Sequence, residues 1–148
     1  MDMGELFFID KDYLIFSQKI LHGISIDIDN NIDLGPILMV LGSFAYGETT
    51  LLNTSRLVNK ESDRLHNMVK ELTKAGVDIQ IADDKVIIHG KASYKGNNNF
   101  STYHDHRIAM SLIIFALLNN GVSTFDNLEC IKKSYPRFLE DIDKIILK

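Results

Sequence analysis

Cysteine is almost absent from this chain. Cys130 stands alone among 148 residues, which excludes an internal disulfide and a cysteine-rich zinc site and leaves a buried, inert thiol as its expected role. A positive balance is missing too. The formal net charge is −4, so non-specific nucleic-acid binding would need a local basic patch that overrides the average, and no nucleic-acid partner is expected. No apolar run reaches the roughly 20 residues that cross a membrane, because 36–45 and 108–118 both stop short. The start, Met1 to Leu6, has no basic region leading into an apolar one and does not read as a secretory signal. His22, His66 and His89 show no ligand spacing with a cysteine or a carboxylate pair, and His104 with His106 is a weak spacing by itself, so no metal is expected. What remains is ordinary globular composition, 45% hydrophobic and 24% charged. That is enough chain for one domain with a real core, expected in the cytoplasm and away from membranes.

Local patterns give an order of elements. Residues 6–9 and 13–17 predict two short strands around Asp10-Lys11-Asp12. Residues 24–29 alternate strictly and predict a strand. Asn30 to Gly35 is a loop, and Pro36 suits the first turn of the helix after it. Residues 37–46 are apolar almost all round and predict a buried helix closed by Gly47, with a β-rich stretch at 49–53. Leu65, Met68, Val69, Leu72 and Ala75 predict an amphipathic helix that opens near Lys60 and ends at Gly76. Residues 77–81 and 85–89 predict a hairpin turned by Asp83-Asp84. Residues 91–100 read as a polar, Asn-rich surface loop with one short strand. Asp105 caps a second buried helix over 108–118, ended by Asn119-Asn120-Gly121, and 122–125 is a strand. Ser134-Tyr135-Pro136 opens a last helix whose Phe138, Leu139, Ile142, Ile145 and Ile146 share a face. The run over 24–89 is therefore strand, helix, strand, helix, strand, strand. A partial copy starts near Tyr94, and the first two strands read as the end of another. A repeat cut at both ends suggests part of something longer. Helices apolar all round also need sheet on every side, more than one such unit supplies.

Charges interrupt these helical patterns at three places. Projected at 100° per residue, Glu61 falls near the middle of the apolar stripe of the 60–75 helix, with Arg64 and Lys60 on its shoulder. The macrodipole disfavours cations at that end, and charges on a buried face need a partner other than hydrocarbon. Either they pair with each other or they face a cleft. Asp105-His106-Arg107 repeats the pattern: Asp105 is a routine N-cap, while Arg107 either bridges to Asp105 or Asp63 or meets an anion beyond the helix end. Lys132-Lys133-Ser134-Tyr135-Pro136-Arg137 is a third basic knot, which taken alone is a solvated surface run. Arginine offers bidentate geometry to carboxylate or phosphate, and lysine a point charge. Asp33, Glu61 and His106 would be the titratable groups beside them. The residues themselves point to an anion site with an acid or base in it.

They also carry a resemblance. Lys60-Glu61-Ser62-Asp63-Arg64 resembles the KE[ST]DR signature of the 3-phosphoshikimate 1-carboxyvinyltransferase (EPSP synthase) family. In the same order, Asp105-His106-Arg107-Ile108-Ala109-Met110 resembles its DHRxAM motif and Lys133-Ser134-Tyr135-Pro136 its K[ST][FY]P motif. Asn31 to Pro36 lines up with the loop that carries an essential aspartate, here Asp33. The resemblance covers only the C-terminal part of the family's chain. It implies an α/β fold of the α+β type, an enolpyruvyl transferase-like domain of repeated βαβαββ units with helices buried inside surrounding sheets. Two such domains form an inside-out α/β barrel with the active site between them. Residues 1–148 would then be a single C-terminal fragment. Within it, 24–90 would be one complete unit, with 1–23 and 91–148 parts of its neighbours.

The family resemblance implies transfer of the enolpyruvyl group of phosphoenolpyruvate to the 5-hydroxyl of shikimate 3-phosphate, by addition and elimination, with release of phosphate. Arg64, Arg107 and Lys133 would hold phosphoenolpyruvate beside His106. Lys60 and Asp33 would meet shikimate 3-phosphate, with Asp33 as proton acceptor, and Glu61 would handle protons at the methylene carbon. No cofactor is implied. The N-terminal domain of the same enzyme is the implied protein partner, and the fragment alone is expected to be inactive. Two positions depart from the pattern: Arg56 stands where some members carry a substrate-contacting Asn, and His104 where Asn or Gly is frequent. Two other readings stay open, a fragment of the related UDP-N-acetylglucosamine enolpyruvyl transferase and a non-catalytic anion-binding module.

Overall fold

The computed structural model describes residues 6–10, 13–17 and 20–146, and side chains over 20–145. Strands β1 (Leu6–Asp10) and β2 (Tyr13–Ser17) pair antiparallel, Leu6 opposite Ser17 and Asp10 opposite Tyr13. Then come β3 (Ser25–Asp27), α1 (Gly35–Phe44), β4 (Gly47–Leu52), α2 (Arg64–Lys74), β5 (Asp78–Ala82) and β6 (Lys85–Gly90). These give the βαβαββ order expected from the hydrophobic periods, closed into one sheet in the order β3-β4-β6-β5. β3 runs parallel to β4, and β6 is antiparallel to both β4 and β5. A second β-α-β run follows: β7 (Asn99–Phe100), α3 (His106–Leu117) and β8 (Thr124–Phe125), with β7 and β8 parallel, and then α4 (Phe138–Ile146).

Apolar burial fixes how the layers meet. Met39 and Val40 of α1, Leu65, Met68 and Leu72 of α2, and Leu51, Val86 and Ile88 of the sheet form one core with Ile108, Leu112 and Phe115 of α3. Burying each large side chain contributes about 1.5–3 kcal/mol. Helix and sheet meet closely at Gly42, where an added Cβ would sit 3.0–3.1 Å from Ile88 and Thr49 side-chain atoms. A smaller cluster joins Ala109 and Ile113 of α3 to Ile131 and Phe138. No helix among the described residues is long and apolar enough to cross a membrane.

The structure corrects several boundaries. The strict alternation at 24–29 yields a strand of only three residues, because Asp27 Oδ1 takes the Asp29 N–H at 2.9 Å and a 3-10 turn over Asp29–Leu34 begins. The second helix opens at Arg64 and not near Lys60. Asp63 is its N-cap, accepting the His66 N–H at 3.1 Å, so Lys60 and Glu61 lie ahead of the helix. The last helix opens at Phe138, and the residues before it form a separate 3-10 turn, Glu129–Lys133. Its apolar face is only partly buried: Phe138 is in the core, while Ile145 is 72% exposed. The 91–100 segment is not wholly a surface loop. Tyr94 is buried among Phe44 and Phe115, and its hydroxyl donates to the Ser43 carbonyl at 2.6 Å. Cys130, expected to be buried, is of intermediate exposure; partial burial raises its thiol pKa, keeping it protonated.

Candidate active site

Two helix starts and two turns bring the sequence-predicted residues together. Arg64 is the first residue of α2 and is only 4% exposed. Its Nε meets Asp105 Oδ2 at 2.7 Å, its Nη1 meets Asp33 Oδ1 at 2.9 Å, and its Nη2 lies 3.9 Å from Glu61 Oε2. Asp105, the N-cap of α3, is 0% exposed. Its other oxygen accepts the Arg107 N–H at 2.9 Å, and Ser62 Oγ adds a bond of 3.1 Å to Oδ2. Asp33, at the end of the turn before α1, also receives Arg107 Nη2 at 3.2 Å and Lys60 Nζ at 3.5 Å. Glu61 holds the far side: Oε2 is 2.6 Å from His106 Nδ1, and Oε1 pairs with Lys133. Beside the network, Asp33, Leu34, Ile37, Arg107, Met110 and Phe138 help line a cleft of about 190 Å³.

Of the two alternatives for Lys60, Glu61 and Arg64, pairing is the one seen: each bonds a charged partner within the network, and it is Asp33 and Arg107 that line the cleft. Arg107 takes neither of its expected partners by its side chain: Asp105 binds only its N–H, Asp63 binds His66, and the guanidinium goes to Asp33. Lys133 sits at the end of a 3-10 turn and not at a helix start; its side chain is largely exposed, like those of Lys132 and Arg137, and pairs with Glu61. Arg56 stays apart from the network, bonded to the Asp29 carbonyl at 2.7 Å and its carboxylate at 3.0 Å.

Electrostatics divides the roles. Partial burial works against ionisation of Asp33, but Arg107, Lys60 and Arg64 outweigh it and hold the carboxyl below the usual carboxylate range. Burial pushes the His106 imidazolium down. Asp105 opposes this, and Arg107 and Arg64 reinforce it. A neutral His106 donates Nδ1–H to Glu61 and leaves Nε2 available, a tautomer assigned from that bond. Among the described residues, the carboxylates that pair with Lys60, Arg64, Arg107 and Lys133 are Asp33, Glu61 and Asp105, so this set of side chains carries an excess positive charge. An anion is what that excess favours.

Glu61, Asp105 and His106 also place one ligand atom each within 4.8 Å of one another. The donor set does not fit a cation. Asp105 is occupied by Arg64, Ser62 and an amide, Glu61 by His106 and Lys133, and two cations stand where a metal would need negative charge. His104 takes no part: its Nδ1 bonds the Asn127 side chain at 2.7 Å, and its φ of 55° is left-handed. A left-handed backbone favours Gly or Asn, so His104 stands where its side chain is strained.

A family model described as EPSP synthase (3-phosphoshikimate 1-carboxyvinyltransferase) matches residues 2–142. The chain belongs to the EPSP synthase family. A 3-phosphoshikimate 1-carboxyvinyltransferase from Clostridium novyi is 39% identical over 143 residues, 97% of this chain and 33% of that protein. One of the same name from Methanocaldococcus jannaschii is 37% identical over 140 residues, 94% of this chain and 32% of that protein. The EPSP synthase structure from Acinetobacter baumannii superposes with a TM-score of 0.79 at 32% identity, over 84% of this chain and 30% of that one. NikO, an enolpyruvyl transferase from Streptomyces tendae, shares the fold at a TM-score of 0.76 and 21% identity, over 96% of this chain and 32% of that one. The chain thus spans about a third of the length of the relatives it matches.

Sequence reasoning missed how central Asp105 is. It was legible as a cap, and a cap uses one carboxylate oxygen. The other, fully buried, is what Arg64 binds. Ser62 was missed too, although its place inside the Lys60–Arg64 motif was a usable signal.

Proposed function

We propose that this chain is the C-terminal part of a 3-phosphoshikimate 1-carboxyvinyltransferase and forms one wall of its cleft. In that reading the parent enzyme joins phosphoenolpyruvate to the 5-hydroxyl of shikimate 3-phosphate. What carries the reading is the convergence of Lys60, Arg64, Arg107 and Lys133 on Asp33 and Glu61 in a member of this family. In the addition step, the hydroxyl oxygen bonds to C2 of phosphoenolpyruvate. Its proton passes to Asp33, and the methylene carbon gains a proton from the Glu61–His106–Lys133 side. In the elimination step that carbon gives a proton back, the C–O bond to phosphate breaks, and Arg107 and Lys133 stabilise the departing dianion. Asp33 suits a proton acceptor because its cationic neighbours keep it ionised. Arg64, nearly buried, acts by holding Asp105 and Asp33 in register and offers the ligand only what those carboxylates leave free.

Two features support the division of the chain into one complete unit, 24–90, and parts of neighbours. The βαβαββ order closes its own sheet. Leu34 is 47% exposed, and Ile37, Leu38 and Leu41 stay partly exposed on a helix that is apolar on every side, so further structure would pack there. One wall without the other would be inactive.

Complementation tests the proposal. The chain is combined with the remaining two thirds of the Clostridium novyi relative, and phosphate release is followed. Release should require both pieces and both substrates, with none from the chain alone. Glu61→Gln should lower it by about 100-fold or more. Turnover by the chain alone at the rate of a full-length relative would sink the one-wall reading. Protection of the complex by UDP-N-acetylglucosamine but not by shikimate 3-phosphate would sink the substrate assignment.

A further inference from the structure

Just ahead of the Asp105–Arg107 motif, two consecutive residues with side chains take left-handed backbone: Tyr103 at φ 53° and His104 at φ 55°. Such a pair persists only where its surroundings fix it. Here they do so from two sides. From α2, Glu71 is 1% exposed; its Oε1 accepts the Tyr103 hydroxyl at 2.9 Å, and its Oε2 accepts the Ser101 N–H at 3.2 Å and pairs with Lys74. Lys70 lies over the Tyr103 ring at 5.8 Å. From beyond β8, Asp126 Oδ1 accepts both the N–H and the hydroxyl of Thr102 at 2.8 Å, and Asn127 holds His104. The Thr102 carbonyl then accepts the Asp105 N–H at 2.9 Å, so the turn passes directly into the helix cap.

Glu71 stands two helical turns beyond Arg64 on the same face of α2. α2 therefore grips the 101–107 segment twice, Arg64 on Asp105 and Glu71 on Tyr103. A buried carboxylate at a core position is costly unless its bonds do something that hydrocarbon could not. We propose that Glu71 and Tyr103 are positioning residues: their bond locks the left-handed turn so that Asp105, His106 and Arg107 leave it aimed at Arg64, Glu61 and Asp33. The catalytic meaning of this rests on the transferase reading. The geometry does not.

The test is a pH titration of the His106 ring by NMR in the 148-residue chain, for the parent, Tyr103→Phe and Glu71→Gln. The groups facing that ring are Glu61 from the preceding loop, Asp105 and Arg107 from its own helix start, Arg64 from α2 and Asp33 from the turn before α1, with Lys133 behind Glu61. Tyr103→Phe should move the His106 midpoint upward as the ring gains water. Glu71→Gln keeps an acceptor for the hydroxyl but turns its amide NH2 on the Ser101 N–H and on Lys74, so its midpoint should move in the same direction by a smaller amount. A Tyr103→Phe chain that melts earlier but titrates His106 as the parent does overturns the proposal. If that variant does not fold, the titration is repeated with His104→Gly added, which relieves one left-handed residue. A chain still unfolded there also overturns it, leaving a purely structural bond. No substrate enters the measurement, so a failure of the transferase reading would leave its outcome unchanged.

Discussion

Truncating Arg64 to alanine should be among the most damaging changes available in this chain, and its size can be worked from the contacts. Asp105 is 0% exposed and accepts from Arg64 Nε at 2.7 Å, from Ser62 Oγ at 3.1 Å and from the Arg107 N–H at 2.9 Å. Removing one partner of a buried ion pair costs about 3–5 kcal/mol, because the other charge is left in low dielectric. Two neutral donors remain on Asp105, so the lower end applies, about 3 kcal/mol. The lost contact to Asp33 adds less than about 1 kcal/mol, since that side chain is 46% exposed and keeps Arg107 and Lys60. In urea, with a slope of roughly 1–3 kcal/mol per M for a small protein, the unfolding midpoint should fall by about 1–3 M. Asp105→Asn keeps the cap, because Asn caps as well as Asp, but it deprives the buried guanidinium of an anion. The double variant Arg64→Ala, Asp105→Asn should therefore lose less than the two singles together, with a coupling of about 2 kcal/mol. An Arg64→Ala loss below about 1 kcal/mol, or a cycle additive to within about 0.5 kcal/mol, would refute the buried-pair account.

Two further outcomes follow from local geometry. Gly90→Ala would place a Cβ 2.1 Å from the Ala45 carbonyl oxygen and 2.5 Å from that of Gly42, both rigid backbone, so thermal unfolding should show a loss of about 2 kcal/mol or more; a neutral result would mean that α1 and β6 can separate freely. The Tyr103 hydroxyl is pushed up to about 12, first by burial and then by its bond to Glu71. The folded state therefore holds this proton more tightly than the unfolded chain does. Its contribution is fully present below the ordinary tyrosine value of about 10 and is lost as pH rises from there to about 12. Tyr103→Phe should flatten the fall in stability over that window, as read by urea unfolding at a series of pH values. An unchanged slope would show that the phenol is not held as the structure has it.

The βαβαββ order was legible because each element has its own period and its own stop: Gly76 after α2, Asp83-Asp84 between β5 and β6, Asn119 to Gly121 after α3. Boundaries failed where a short side chain redirected the backbone. Alternation carried the first strand of the unit past Asp27, but one carboxylate bond to the Asp29 amide ends it. The helical projection carried α2 back to Lys60, yet Asp63 caps it and leaves Glu61 on a loop. The core position of Tyr94 was hidden because the polar residues around it give no period, and only the Ser43 carbonyl, 51 residues earlier in the chain, explains the hydroxyl.

That error about Glu61 also shows what kind of signal the charges were. A projection put Glu61 on a buried helical stripe, which was wrong as geometry, but the inference that it needed a charged or polar partner was right. The requirement follows from desolvation and does not depend on the backbone being helical. Partner identity is a different matter: nothing in the local pattern joins Lys133 to Glu61, 72 residues apart, or Arg107 to Asp33. Those pairings arise because α3 packs against α1 and the 129–133 turn against α3, which the apolar residues decide. The hydrophobic pattern thus chooses which charges meet, and the charges then determine what the meeting place can bind. Four cations against three carboxylates leave the network self-satisfied without a ligand and still short of one negative charge. In the proposed transferase reading, an entering phosphate or carboxylate would exchange with Asp33 or Glu61 for Arg107 or Lys133, and its binding would free the candidate acid and base in the same event.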